Sequence, residues 1–262
     1  MKKLAFAVLA FAIVPSISEA AIKTDTVTYK VGEKTYKGFL AYDDAVKTKR
    51  PGILVVHEFW GLDDYAKKRA EQLAGLGYVA FAADMYGDGK VTEHPKEAGK
   101  MAAEARMNQQ EWLARANAGL KVLREHPLVD GKKLGAIGYC FGGSTALTLA
   151  NSGSDIAVAV SFHGALPIPE EADAKKIKTR ILICHGAADA FIKEDTIQKM
   201  RGIYDKNGVD YQMIYFGGAV HSFTVPGADK KGIDGIRYDA NADRRSWAAM
   251  QALFNEAFEG KK

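Results

Sequence analysis

The chain has 262 residues, 47% hydrophobic and 26% charged, with 36 Lys and Arg against 32 Asp and Glu for a formal net charge of +4. That is an ordinary globular composition, long enough for one large α/β core. Basic and acidic residues are interleaved without an aromatic-basic stripe, so nucleic acid is not an expected partner.

The first twenty residues stand apart. Lys2-Lys3, an apolar run from Leu4 to Val14, and Ser18-Glu19-Ala20 form the pattern of a cleaved secretory signal peptide, with the cut expected before Ala21. The apolar run is too short to span a bilayer stably, and no later stretch is apolar enough, so no membrane association is expected once the leader is removed. The expected mature chain, residues 21–262, is therefore periplasmic or secreted and forms a single domain.

Thr26 to Tyr29 and Lys34 to Tyr42 alternate polar and apolar residues around Gly32, which predicts an antiparallel hairpin at a sheet edge. Pro51 to Val56 reads as a fully buried strand that runs straight into His57-Glu58-Phe59-Trp60. Asp63 caps a helix whose apolar spacing runs through Tyr65, Ala66, Ala70, Leu73 and Leu76, and Gly77 ends it. A strand from Tyr78 to Ala83 leads into the turn-rich Asp84 to Gly89 loop. The long helical region from Lys96 to His126 has mixed spacings that predict two helices, stopped by Pro127.

Four further strands are expected: Lys133 to Tyr139, Ile156 to Phe162, Arg180 to His185 and Tyr211 to Phe216. Helices over Glu194 to Asn207 and Asn241 to Phe258 complete the pattern. Buried strands alternating with helices predict a doubly wound, mainly parallel sheet covered on both faces. Chemistry in such sheets collects at the carboxyl ends of the strands.

Gly138-Tyr139-Cys140-Phe141-Gly142 has the spacing of a nucleophile elbow, a strained strand-to-helix turn that holds one reactive atom clear of the backbone. Cys140 would sit at a helix N-terminus, where unpaired N–H groups favour a thiolate. The same five residues also suit a phosphate-binding turn or a buried core thiol, and the later loops decide between these. Asp189 follows the Arg180 strand and His221 follows the Tyr211 strand, giving the order nucleophile, acid, histidine on one rim. In that arrangement His221 takes the Cys140 proton, Asp189 fixes the imidazole, and the main-chain N–H groups of Phe59 and Phe141 hold the oxyanion of an ester substrate.

The second cysteine, Cys184, lies inside an apolar strand and is expected to be a core thiol rather than a disulfide partner. His57, His163 and His185 sit at strand ends in apolar surroundings and read as structural residues, while His94 and His126 read as solvated. None of the histidine spacings fits a metal site, so no metal is expected.

Gly-Tyr-Cys-Phe-Gly-Gly143, Glu58 in Glu-Phe-Trp-Gly-Leu62, Gly-Ala-Ala-Asp189 and His-Ser-Phe223 together resemble the dienelactone hydrolases, from about Lys34 to the C-terminus. The resemblance implies an α/β-hydrolase fold, a Cys-Asp-His triad, no cofactor, and a small-molecule ester or lactone as substrate. It also implies that Glu58 contacts the resting nucleophile and moves to activate it. One position departs from the family: its carboxylate-binding arginine, four residues past the histidine, is here Val225. A second family arginine falls in the helix after the Asp84 loop, near Lys100 and Arg106. Trp60, Tyr86 and Phe223 are the candidate lining of the substrate pocket. Alternative readings are a thioesterase, a carbohydrate acetyl-esterase, or a non-catalytic ligand-binding homologue.

Overall fold

The structure, a computed structural model, describes residues 22–260; the expected leader and its cut before Ala21 lie outside the described residues. In chain order the elements are β1 (Ile22–Val31), β2 (Lys34–Asp43), β3 (Arg50–Val56), α1 (Asp64–Gly75), β4 (Val79–Ala83), α2 (Pro95–Arg106), α3 (Gln109–Glu125) and β5 (Val129–Tyr139). These are followed by α4 (Phe141–Asn151), β6 (Val158–Phe162), α5 (Glu171–Ala174), β7 (Arg180–Gly186), α6 (Glu194–Asn207), β8 (Tyr211–Phe216) and α7 (Ala240–Glu259).

The strands form one eight-stranded sheet in the order β1-β2-β4-β3-β5-β6-β7-β8. β1 and β2 make the expected antiparallel hairpin, β2 adds to β4 antiparallel, and every other pairing is parallel. Alternate residues of β3 feed opposite faces, as the strand period requires. Leu54 and Val56 pack with α3 and α4 residues such as Leu120, Leu123 and Leu147. Ile53 and Val55 pack with α1 and α7 through Ala70, Leu73, Met250 and Phe254.

Local chemistry sets the helix boundaries. Asp63 accepts from the Ala66 N–H at the start of α1, Asn108 accepts from Glu111 N–H at the start of α3, and Asp239 caps α7. The two helices expected between Lys96 and His126 are present, with α2 started by Pro95 and separated from α3 at Met107–Asn108. Gly208, in the left-handed region at φ 64°, stops α6. α4 is buried along its whole length. Burying each of Leu147 and Leu149 contributes about 1.5–3 kcal/mol and anchors the helix that follows Cys140.

Two elements run longer than the residue pattern predicts. β1 pairs with β2 from Ile22 onward, and β5 starts at Val129, paired with Arg50 across an irregularity in β3. In both cases a neighbouring strand recruits polar residues that lack a strand signature of their own.

Candidate active site

Five loops at the carboxyl ends of parallel strands meet at one point: Glu58 and Phe59 after β3, Cys140 after β5, His163 after β6, Asp189 after β7 and His221 after β8. Cys140 has φ 51° and ψ −110°, the backbone of a sharp elbow. Both flanking glycines are sterically required. A Cβ on Gly138 would lie 2.1 Å from the Gly142 carbonyl, and one on Gly142 would lie 2.1 Å from the Val56 carbonyl oxygen. Of the four non-glycine residues with positive φ among the described residues, three are here: Cys140, His163 (43°) and Ser222 (53°). Such backbones cluster where the surroundings over-determine them.

His221 Nδ1 lies 2.7 Å from Asp189 Oδ2, and Asp189 Oδ1 accepts from the Phe191 N–H at 2.9 Å. Asp189 is therefore held from both sides. The histidine backbone is fixed as well, donating to the Gly235 carbonyl and accepting from Arg237 N–H in a short parallel bridge. Burial alone would push the imidazole down. The adjacent Cys140 sulfur and Asp189, through charge and hydrogen bonds, overcome this and hold it well above the ordinary histidine range.

Phe141 N–H belongs to the first turn of α4 and has no intrahelical acceptor. Phe59 N–H lies in the irregular segment after β3. That segment is braced by buried His57, whose Nδ1 contacts the Glu58 carbonyl while Nε2 accepts from Met85 N–H. Tyr86 adds a second brace, its hydroxyl donating to the Phe59 carbonyl at 3.0 Å.

Glu58 is buried, and its carboxylate accepts from Ser222 Oγ at 2.7 Å and Trp60 Nε1 at 3.2 Å. Each carboxylate oxygen is thus engaged by a partner other than the Cys140 thiol, the contact that the family resemblance implies. Burial pushes the Glu58 carboxyl above the usual range, opposed by the Ser222 hydrogen bond and the charge of His221.

Cys140, His221 and Ser222 line an open cleft of about 490 Å³ whose other walls include Phe59, Phe191, Ile192, Ile233 and Ile236. The candidate pocket residues are not part of this lining. Trp60 is turned inward to Glu58, Tyr86 to the Phe59 carbonyl, and Phe223 is fully buried against His163 and Phe216. Aromatic character at a strand end signalled a pocket in the sequence, but these rings fill the core one layer behind it. Phe191 and the 233–236 segment, which do line the cleft, sit in loops with no periodicity to mark them.

Of Lys100 and Arg106, it is Arg106 that faces the cleft. It lines the cleft with its guanidinium 4.9 Å from the Phe141 ring and 5.8 Å from the Trp112 ring. Among the described residues it has no carboxylate partner. Lys100 is spent on the surface pairing with Glu104. Both cysteines are free, and burial raises the Cys184 thiol far above its ordinary value, as suits a core residue. Among the described residues no cluster of three or more His, Cys, Asp or Glu is placed to hold a metal ion.

This mostly parallel eight-stranded sheet, with a nucleophile elbow after β5, defines an α/β-hydrolase. The dienelactone hydrolase family model matches residues 36–258, and the chain belongs to that family. Protein usf of Aquifex pyrophilus is 32% identical over 211 residues, covering 79% of this chain and 88% of its own. A protein of Aquifex aeolicus named as a carboxymethylenebutenolidase is 32% identical over 192 residues, 71% of this chain and 81% of its own. Among solved structures, a dienelactone hydrolase-like promiscuous phosphotriesterase from metagenomic libraries superposes with a TM-score of 0.88 at 41% identity, covering 91% of this chain and 99% of that one. The family indicates a hydrolase of esters or lactones.

Proposed function

We propose that this protein hydrolyses a small carboxylic ester or lactone through an acyl-enzyme on Cys140. The observation that carries the reading is that His221, held by buried Asp189 at 2.7 Å, and Cys140 line the same cleft. With Nδ1 held by Asp189, His221 Nε2 takes the thiol proton and the thiolate attacks the carbonyl carbon. Phe59 and Phe141 N–H groups hold the oxyanion. The intermediate collapses, the alkoxide leaves with the proton from His221, and a water activated by the same imidazole cleaves the thioester. Glu58 modulates the nucleophile from behind, through its bond to Ser222 next to His221.

An apolar cleft containing one unpaired guanidinium suits a substrate with an apolar body and an anionic group. Arg106 then takes the carboxylate role that Val225 cannot fill. The leader pattern at 1–20 supports action in the periplasm or outside the cell.

Hydrolysis of p-nitrophenyl esters and of lactones by residues 21–262 tests this. Cys140→Ala is expected to lose at least about 10³-fold in kcat, and Arg106→Met to raise KM for carboxylate-bearing substrates only. Full activity in Cys140→Ala overturns the reading. A second reading, phosphotriester hydrolysis at the same cysteine, is favoured by the 41% identical phosphotriesterase; release of p-nitrophenol from a neutral phosphotriester checks it.

A further inference from the structure

His163 does not merely fill space. Its ring is buried at 1% exposure between the loop that carries the nucleophile and the loop that carries the base. The Cys140 N–H, which also donates to the Phe162 carbonyl at 3.0 Å, points at His163 Nδ1 at 3.2 Å. An N–H can only donate, so Nδ1 must carry the lone pair and the ring proton must sit on Nε2. Nε2 lies 2.8 Å from Thr224 Oγ1, and so donates to it. Thr224 is three residues beyond His221 on the same loop.

The far end of the ring is also anchored. Thr224 Oγ1 receives the Tyr65 hydroxyl at 2.7 Å, and Tyr65 in turn receives Arg69 Nε–H at 3.1 Å. Arg69, itself buried, donates to the Thr224 carbonyl at 3.0 Å and pairs with Asp243 of α7. Its guanidinium is stacked among Tyr65, Tyr139 and Trp247. Donation thus converges on Thr224 Oγ1 from two sides, from Arg69 through Tyr65 and from the Cys140 N–H through the His163 ring, while Arg69 also donates to Asp243.

Resting on the reading that Cys140 and His221 are the nucleophile and base, we propose that His163 is a positioning residue: a neutral imidazole spacer that sets the separation of the Cys140 elbow from the His221 loop. The two reacting side chains come from separate loops, and neither β5–α4 nor β8 alone fixes their mutual distance. His163 bonds to both loops and also packs edge-on against the His221 ring, with centroids 5.3 Å apart. Catalytic constellations need placement within about 0.5 Å, which a hydrogen-bonded ring between two loops supplies. Burial and the neighbouring His221 charge both keep the ring unprotonated, consistent with an acceptor at Nδ1.

The test uses full-length mature protein, residues 21–262, with three readouts: kcat and KM on a p-nitrophenyl ester, the rate of Cys140 alkylation by iodoacetamide, and Tm. His163→Phe removes both bonds and is expected to lower kcat about 10–100-fold with KM within about twofold, and to slow alkylation. His163→Asn tolerates the left-handed backbone and offers an amide oxygen near the Nδ1 position. It keeps the Cys140 bond but cannot reach Thr224, so its kcat should fall only about 3–10-fold, as in Thr224→Val and less than in His163→Phe, whatever its Tm. Thr224→Val, which keeps the histidine and loses its partner, should fall about 3–10-fold in kcat while Thr224→Ser does not. Equal loss in His163→Asn and His163→Phe, in step with Tm, would overturn the proposal by reducing His163 to packing. So would unchanged kcat in His163→Phe or Thr224→Val while Cys140→Ala is dead. Activity surviving in Cys140→Ala instead overturns the underlying hydrolase reading, so the two failures are separable.

Discussion

Replacing Gly142 with alanine places a methyl group where the structure has two backbones in contact. The new Cβ would sit 2.1 Å from the Val56 oxygen, 2.5 Å from its carbonyl carbon and 2.7 Å from the His57 oxygen. None of these atoms belongs to a side chain that can rotate away. Reaching even 3.0 Å from Val56 requires about 0.9 Å of separation between α4 and the end of β3. β3 is held between β4 and β5, so the first turn of α4 must move, taking Phe141 N–H and Cys140 away from Phe59 N–H. Forced repacking of this kind costs about 1–3 kcal/mol of stability, which is roughly 2–4 °C of Tm per kcal/mol for a chain this long. A displacement near 1 Å at reacting groups costs about 10²-fold in rate, equivalent to about 2.7 kcal/mol of barrier. Urea unfolding and kcat for p-nitrophenyl acetate measure the two effects separately. Parental kcat together with parental stability would refute the argument, because it would mean the strand and helix separate freely.

Gly202 is the opposite case, an exposed helical glycine of α6 with nothing within 4 Å of where a methyl group would stand, so Gly202→Ala should gain about 0.5–1 kcal/mol in urea unfolding and leave kcat unchanged. Arg69→Met strands Asp243 and the Thr224 carbonyl and should lose about 3–5 kcal/mol, with part recovered in Arg69→Met/Asp243→Leu. Glu58→Gln should shift stability with pH. A carboxyl raised in the folded state favours folding below its unfolded value and withdraws that support as pH rises through the folded value, so the variant gains on the parent from about pH 4.5 upward. Denaturation curves at pH 4.5 and 7.5 that move in parallel would contradict this.

The sheet and the three loops bearing Cys140, Asp189 and His221 were legible because each depends on local pattern: apolar runs of strand length, glycines at fixed offsets, and loops that follow strands immediately. What escaped the sequence depends on contacts between distant segments. His163 looks like any strand-end histidine until Cys140 and Thr224, 23 and 61 residues away, are seen on its two nitrogens. Arg106 could not be separated from Lys100 by spacing alone, because only the fold shows which helix face meets the cleft. Trp60, Tyr86 and Phe223 were misread for the reverse reason, since nothing in an aromatic side chain's identity tells whether it faces a cavity or the wall behind it.

The left-handed backbones at Cys140, His163 and Ser222 also bear on how this protein responds to selection for heat resistance. Each costs on the order of 1–3 kcal/mol, against a net stability of about 5–15 kcal/mol for a typical domain. Glycine at any of the three would relieve that cost and erase a side chain of the cleft or its support. Thermostabilisation campaigns that screen only for survival should therefore accumulate changes at these positions and deliver sturdy, inactive proteins. Screens that demand turnover should leave all three untouched and find their gains on outlying helices such as α6.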